Sequence, residues 1–196
     1  LLVATNNLPV NNAKELVALL KAKPDSISYA SAGKGTAPHL AAELFQINTG
    51  TNMLHVPYKG SAPLATDLLG GQVTMSFDTI TPVLPFIKEK KLRSLAVTTA
   101  KRSSTLPGVP TMKESGIDMD IGTWFGLLAP AGTPQEIISK IQAQMDKILK
   151  QPEIIERMKR QGIELGRLSP AEFNQLLVGD YVRMAKVVKA SGAKPE

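Results

Sequence analysis

The chain has 196 residues, 43% of them apolar, a formal charge of +6 with both histidines neutral, and no cysteine. That length suits one domain or two small lobes able to bury a core, and the lack of cysteine excludes a disulfide framework, a thiolate nucleophile, a zinc finger and an iron–sulfur cluster. No apolar stretch approaches the ~20 residues that span a bilayer, and Leu1 to Asn7 has neither a charged n-region nor a cleavage motif, so the chain reads as soluble, with any targeting segment outside it.

In chain order, Leu1 to Ala4 is extended and apolar, Ile27 to Ser31 reads as a strand, and Thr36 to Ile47 as a helix with Leu40, Leu44 and Ile47 on one face. Met53 to Tyr58 is the next strand. The helix Ser61 to Leu69 follows, with Ser61 as cap, Pro63 in the first turn and Gly70 at the end. Val73 to Phe77 alternates like a third strand and Pro82 to Lys90 reads as a third helix, after which Leu92 to Thr98 is extended. Three successive strand–loop–helix units point to an α/β layer, flanked by one extended segment on each side.

Beyond Thr99 the texture changes to a Pro-bearing connection, a helix start at Thr111 with Glu114, and an expected strand from Thr123 to Ala129 holding Trp124. The capping-box spacing recurs at Thr133 with Glu136 and at Ser169 with Glu172, opening helices over Pro134 to Lys150 and Pro170 to Lys189, with a shorter one from Pro152 to Gln161 between them. Several apolar helix faces but only one strand leave this part short of a sheet of its own.

The positive charge is spread along the chain and lacks interleaved aromatics, which argues against a nucleic-acid surface. In an open α/β sheet ligands bind beyond the carboxyl ends of the strands, where three loops converge: Ser31-Ala32-Gly33-Lys34-Gly35-Thr36, Pro57-Tyr58-Lys59-Gly60-Ser61 and Phe77-Asp78-Thr79. Two of them lead a lysine into a helix N-terminus, whose free N–H groups and dipole attract an anion. A small carboxylate is the natural guest, although Gly33 and Gly35 also suit a plain tight turn, and Asp78 suits either a ligand hydroxyl or amine, or a turn. Lys34 precedes Gly35, so the first loop is not a P-loop. His39 reads as a surface partner of Glu43, and the two histidines alone do not make a metal site. A Ser31–His39–Asp78 triad lacks the nucleophile-elbow glycine, since Tyr29 stands two positions before the serine. Core packing is the default reading of Trp124.

The runs Tyr29 to Thr36, His39-Leu40-Ala41, His55 to Gly60, Asp67 to Val73, Phe77-Asp78, Leu95 to Thr98 and Gly126 to Pro134 together resemble the Bug family. These are periplasmic solute receptors of tripartite tricarboxylate transporters. The resemblance implies a type II periplasmic binding protein-like α/β fold that closes on a small carboxylate and hands it to membrane permease subunits, without catalysis, cofactor or metal. It implies one complete lobe over residues 8–93, with residues 1–7 and 94–196 as hinge strands and the C-terminal part of a second, incomplete lobe. The family's N-terminal ligand loop has no match here, and Lys34 stands where many relatives carry a neutral residue. The expected ligand residues are Ser31, Gly33, Gly35 and Thr36, with Tyr58 and Lys59 beside them and Asp78 at the distal end. The alternatives are an α/β enzyme acting on a small carboxylic acid and a truncated binding protein outside transport; an incomplete lobe also implies self-association.

Overall fold

The computed structural model describes residues 1–193. Strands β1 (Leu2–Thr5), β2 (Ser28–Ser31), β3 (Leu54–Pro57), β4 (Met75–Phe77) and β5 (Leu92–Ala96) form one sheet in the order β3-β2-β4-β1-β5. β2 is parallel to β3 and β4, whereas β1 lies between β4 and β5 and runs antiparallel to both. The two extended segments that flank the strand–loop–helix units are thus members of the same sheet.

Side chains alternate between the faces of a strand, and this sheet is apolar on both. Leu2 and Ala4 of β1 enter one core with Tyr29, Met75 and Phe77, while Val3 enters the other with Ala30. Each face therefore needs a helical cover. Helices α1 (Ala13–Ala22) and α2 (Ala37–Thr49) bring Leu16, Leu20 and Phe45 to the first; α3 (Ser61–Leu69) and α4 (Ile80–Lys88) bring Leu64, Leu68 and Val83 to the second. Removing water from each such large side chain contributes about 1.5–3 kcal/mol, which fixes the three-layer arrangement and aligns the starts of α2, α3 and α4 along one sheet edge.

The sequence reading contains no helix at α1. Its signal is Asn12, whose side chain accepts the Glu15 N–H at 2.9 Å ahead of the buried Leu16 and Leu20. Three capping expectations are corrected. The N-cap of α3 is Gly60, because the Ser61 hydroxyl donates instead to Asp78. Thr133 donates to the Pro130 carbonyl at 2.8 Å and does not cap the next helix, α5 (Gln135–Ile148). Thr111 and Glu114 exchange the two capping-box bonds around a turn that never becomes a helix, since Gly116 follows at φ 81°. At Ser169 the box is complete and opens α7 (Pro170–Ser191).

Thr123 to Ala129 is no strand; among the described residues no backbone pairs with it, and Phe125, Leu127 and Leu128 stand 86%, 67% and 67% exposed. Helix α5 and α6 (Pro152–Arg160) likewise bury no residue. By contrast α7 returns along α2 and buries Val187 against the first core.

Candidate functional site

Because β2, β3 and β4 are parallel, their following loops meet at one edge. The Tyr58 and Gly60 N–H groups donate to the carbonyls of Ser31 and Ala32 at 2.9 and 3.0 Å, continuing the β2–β3 ladder into the loops. Ser61 Oγ and the Thr79 N–H both donate to Asp78 Oδ1, at 2.8 and 2.7 Å, and tie the second loop to the third. Gly33 sits at φ 138°, and a Cβ there would lie 3.3 Å from the Tyr58 carbonyl, so this turn requires glycine.

Helices α2, α3 and α4 start after Thr36, Gly60 and Thr79, and none has a side-chain cap. Pro38, Pro63 and Pro82 occupy their first turns, positions where a backbone N–H has no helical partner anyway. Three positive dipole ends therefore share one edge.

The predicted residues divide by what their polar groups do. Ser31 Oγ is fully buried and lies 2.7 Å from His55 Nε2. Thr36 Oγ1 donates to the Gly33 carbonyl at 2.7 Å, and the Gly35 N–H donates to His39 Nδ1 at 3.1 Å. Tyr58 donates its hydroxyl to Asp67 Oδ2 at 2.8 Å; burial, with Asp67 second, pushes its phenol up to about 12. Lys59 is exposed. Asp78 is buried, and among the described residues its Oδ2 has no hydrogen-bond partner. Burial pushes its carboxyl upward, against the pull of Ser61 and Thr79.

A cleft of about 1370 Å³ opens beside this edge. Ala37 and Pro38 at the start of α2, and Asp78, Thr79 and Ile80 at the start of α4, form one wall; Thr98 to Lys101, Thr123 to Thr133, and Ile137, Ile141 and Met145 of α5 form much of the other. Of the seven predicted residues, Asp78 lines the cleft, while the others build the loops behind its rim. Trp124 stands in that wall, 39% exposed, with its indole N–H on Asp180 at 2.5 Å and Phe173 edge-on at 5.2 Å, and so departs from a core position.

The histidines depart further from expectation. His39 is 6% exposed, its ring stacked on His55 with centroids 4.2 Å apart; Tyr29 covers the other face of His55 at 4.8 Å. The hydroxyl of Tyr29 donates to Glu43 at 2.7 Å. The available signal was the pairing of Tyr29 with His55 across β2 and β3, which only the strand register reveals. Ser31 therefore pairs with His55, not His39, and is enclosed, while Asp78 bonds Ser61 and Thr79. That arrangement presents no nucleophile to a substrate. Among the described residues no group of three or more acidic or histidine side chains is placed to hold a metal, and no helix is long and apolar enough to cross a membrane.

Uncapped helix N-termini beside a cleft are groups suited to an anion. The chain belongs to the tripartite tricarboxylate transporter family receptors, whose family model matches residues 1–193. It is 36% identical over 180 residues to a protein encoded between tcbD and tcbE in Pseudomonas sp. strain P51, covering 89% of this chain and 54% of that one. It is 34% identical to the protein BugT of Bordetella pertussis, covering 98% and 60%. Among solved structures, an R. palustris protein with adipate superposes with a TM-score of 0.90 at 34% identity, covering 100% of this chain and 66% of that one. The periplasmic binding protein BugD gives 0.86 at 36%, covering 100% and 66%; MatC of Rhodopseudomonas palustris with bound malate gives 0.85 at 28%, covering 96% and 65%. The chain spans a little over half the length of the first curated relatives and about two thirds of these solved chains.

Proposed function

We propose that this chain supplies most of an extracytoplasmic, periplasmic receptor that captures a small mono- or dicarboxylate and delivers it to the membrane subunits of a tripartite tricarboxylate-type transporter, without catalysis and without a cofactor. The observation that carries the reading is the set of three uncapped helix N-termini along one edge, the starts of α3 and α4 joined through Ser61 and Asp78 and the loops before α2 and α3 through backbone bonds. An ionised carboxylate leaving water needs several donors, since an unpaired buried charge costs several kcal/mol, and helix starts supply them as backbone N–H groups at no side-chain entropy cost. The adipate and malate held by two solved relatives support the ligand class.

In this reading Ser31, Gly33, Gly35 and Thr36 shape the first anion turn. Tyr58 and Lys59 shape and charge the second, and Asp78, with Oδ2 unfilled, accepts from a hydroxyl or amine at the distal end of the ligand. Residues 8–93 act as one lobe, and residues 1–7 and 94–196 as hinge strands and part of the other. The hinge crossings lie near Asn6 and Leu92, where Asn6 Nδ2 donates to the Lys90 carbonyl at 2.8 Å. The exposed Phe125, Leu127, Leu128 and Ile137 support self-association of this chain, because apolar patches beyond several hundred Å² (roughly) find partners.

Backbone amide NMR titrated with adipate and malate tests the ligand reading: saturable shifts confined to Ala37 and Thr79 to Thr81 support it. Light scattering tests self-association, and a monodisperse monomer at all concentrations would contradict that part.

A further inference from the structure

The turn that starts α2 holds its own N–H in reserve. Gly35 is exposed and in the left-handed region at φ 75°, yet its N–H points back to Nδ1 of His39, 3.1 Å away. An Nδ1 that accepts carries no proton, so the ring is neutral with its hydrogen on Nε2. That Nε2 lies 3.7 Å from Glu43 Oε1, at ion-pair distance but beyond a hydrogen bond. A second proton on the ring has to go to Nδ1, where it meets the Gly35 N–H head on. Neutral His39 and the closed turn require each other.

The titratable and charged groups around His39 come from each neighbouring element. Glu43, on its own helix, favours the imidazolium, but Tyr29 of β2 occupies the same carboxylate with its hydroxyl at 2.7 Å. Lys34 in the turn opposes the added charge. His55 of β3 lies face to face at 4.2 Å, so charging both rings sets two imidazoliums against each other. Burial is the largest influence and holds His39 below the ordinary histidine range, with Glu43 pulling upward and Lys34 downward. The turn is closed at neutral pH.

From this geometry we infer that His39 is a proton-operated latch on the Gly35 amide: neutral, it ties that N–H into the turn behind the cleft rim; protonated, it surrenders the N–H and adds a positive charge beside the start of α2, whose Ala37 and Pro38 line the cleft, so that carboxylate capture there takes up a proton. The inference rests on the carboxylate reading and assigns His39 as a positioning residue that acts through Gly35. Linkage is reciprocal: the factor by which protonation tightens the carboxylate is the factor by which the carboxylate raises proton affinity at His39. Couplings of this kind are typically about 5–150-fold.

The test follows the histidine ring nitrogens and the Gly35 amide of the full chain by ¹⁵N NMR between about pH 4.5 and about pH 8, first without ligand. Expected is an Nε2–H tautomer for His39 at neutral pH, a midpoint below about 6.5, and a Gly35 amide shift that moves with that same midpoint. In His39→Asn the side-chain oxygen takes the place of Nδ1, so Gly35 keeps its bonded shift and loses the titration. With adipate as probe, affinity in the unmodified chain should rise at least about fivefold from about pH 7.5 to about pH 5.5, and stay flat in His39→Asn. A Gly35 amide indifferent to His39 titration overturns the latch, and needs no variant to fold. An equal pH dependence of adipate binding in His39→Asn overturns the linkage. A Gly35 amide that follows His39 while adipate binds at neither pH sinks the carboxylate reading, and the linkage with it.

Discussion

Ser31 and His55 are joined side chain to side chain, 2.7 Å from Oγ to Nε2, at the point where β2 turns toward its helix. The same Oγ lies 3.3 Å from the Gly33 N–H, so a β3 residue braces the glycine turn through a β2 hydroxyl. Removing the imidazole leaves an enclosed hydroxyl short of a partner and opens the gap between the rings of Tyr29 and His39. His55→Ala should therefore destabilise the fold by about 1–3 kcal/mol, read as a lower urea midpoint at unchanged slope. A midpoint equal to that of the unmodified chain would contradict the bracing role.

Gly33 should be intolerant of any side chain. At φ 138° an L-residue is strained by about 1–3 kcal/mol, and its Cβ would crowd the Tyr58 carbonyl at 3.3 Å. Gly33→Ala should lower the melting temperature and weaken any bound carboxylate, whereas Gly108→Ala, with nothing near its Cβ and no positive φ, should do neither. Calorimetric melts of the two variants decide it.

Asp78 makes stability fall with rising pH. Burial raises its carboxyl above the ordinary value, so the folded chain holds that proton more tightly than the unfolded chain. Its contribution is present below the ordinary carboxylate range and is lost as pH climbs through the raised value. Asp78→Asn keeps an oxygen for the Ser61 and Thr79 donors and removes the buried charge. It should flatten that part of the pH–stability curve and leave neutral-pH stability equal or higher. Asp78→Ala strands both donors and should lose stability at every pH; denaturant melts from about pH 3 to about pH 7 separate the cases.

Two serine/threonine positions with the same spacing to a glutamate should behave differently. Ser169 caps α7 through its hydroxyl, and Ser169→Ala should cost about 0.5–2 kcal/mol. Thr133 caps nothing, and Thr133→Ala should stay within about 0.5 kcal/mol. Equal losses in urea melts would contradict the observed caps.

These pairs also mark how far the sequence could be read. The alternation of Ile27 to Ser31 and Met53 to Tyr58, and the bounds of α3 from Ser61 to Leu69, emerge because local periodicity and prolines agree with the tertiary fold. The spacing at Thr111, Thr133 and Ser169 is identical, yet only Ser169 caps a helix, because a capping box reports two reciprocal bonds and not whether a helix packs behind them. Thr123 to Ala129 has strand composition, but a strand is made by its neighbour's backbone, and among the described residues none pairs with it. The loops at the sheet edge were legible because glycines before helix starts advertise themselves. The His39–His55 stack was not, since it depends on which residue of β3 lies opposite Tyr29, a matter of register.

The central claim is that the edge formed by the starts of α2, α3 and α4 selects carboxylates by charge. The most direct measurement titrates the chain with adipate and, separately, with its diamide, which matches it in length and shape but carries no charge, while following the amides of Ala37, Thr79, Ile80 and Thr81. The account expects saturable shifts at these amides with the diacid and none with the diamide at the same concentrations. Equal responses to both, or no saturable response to the diacid, would contradict it.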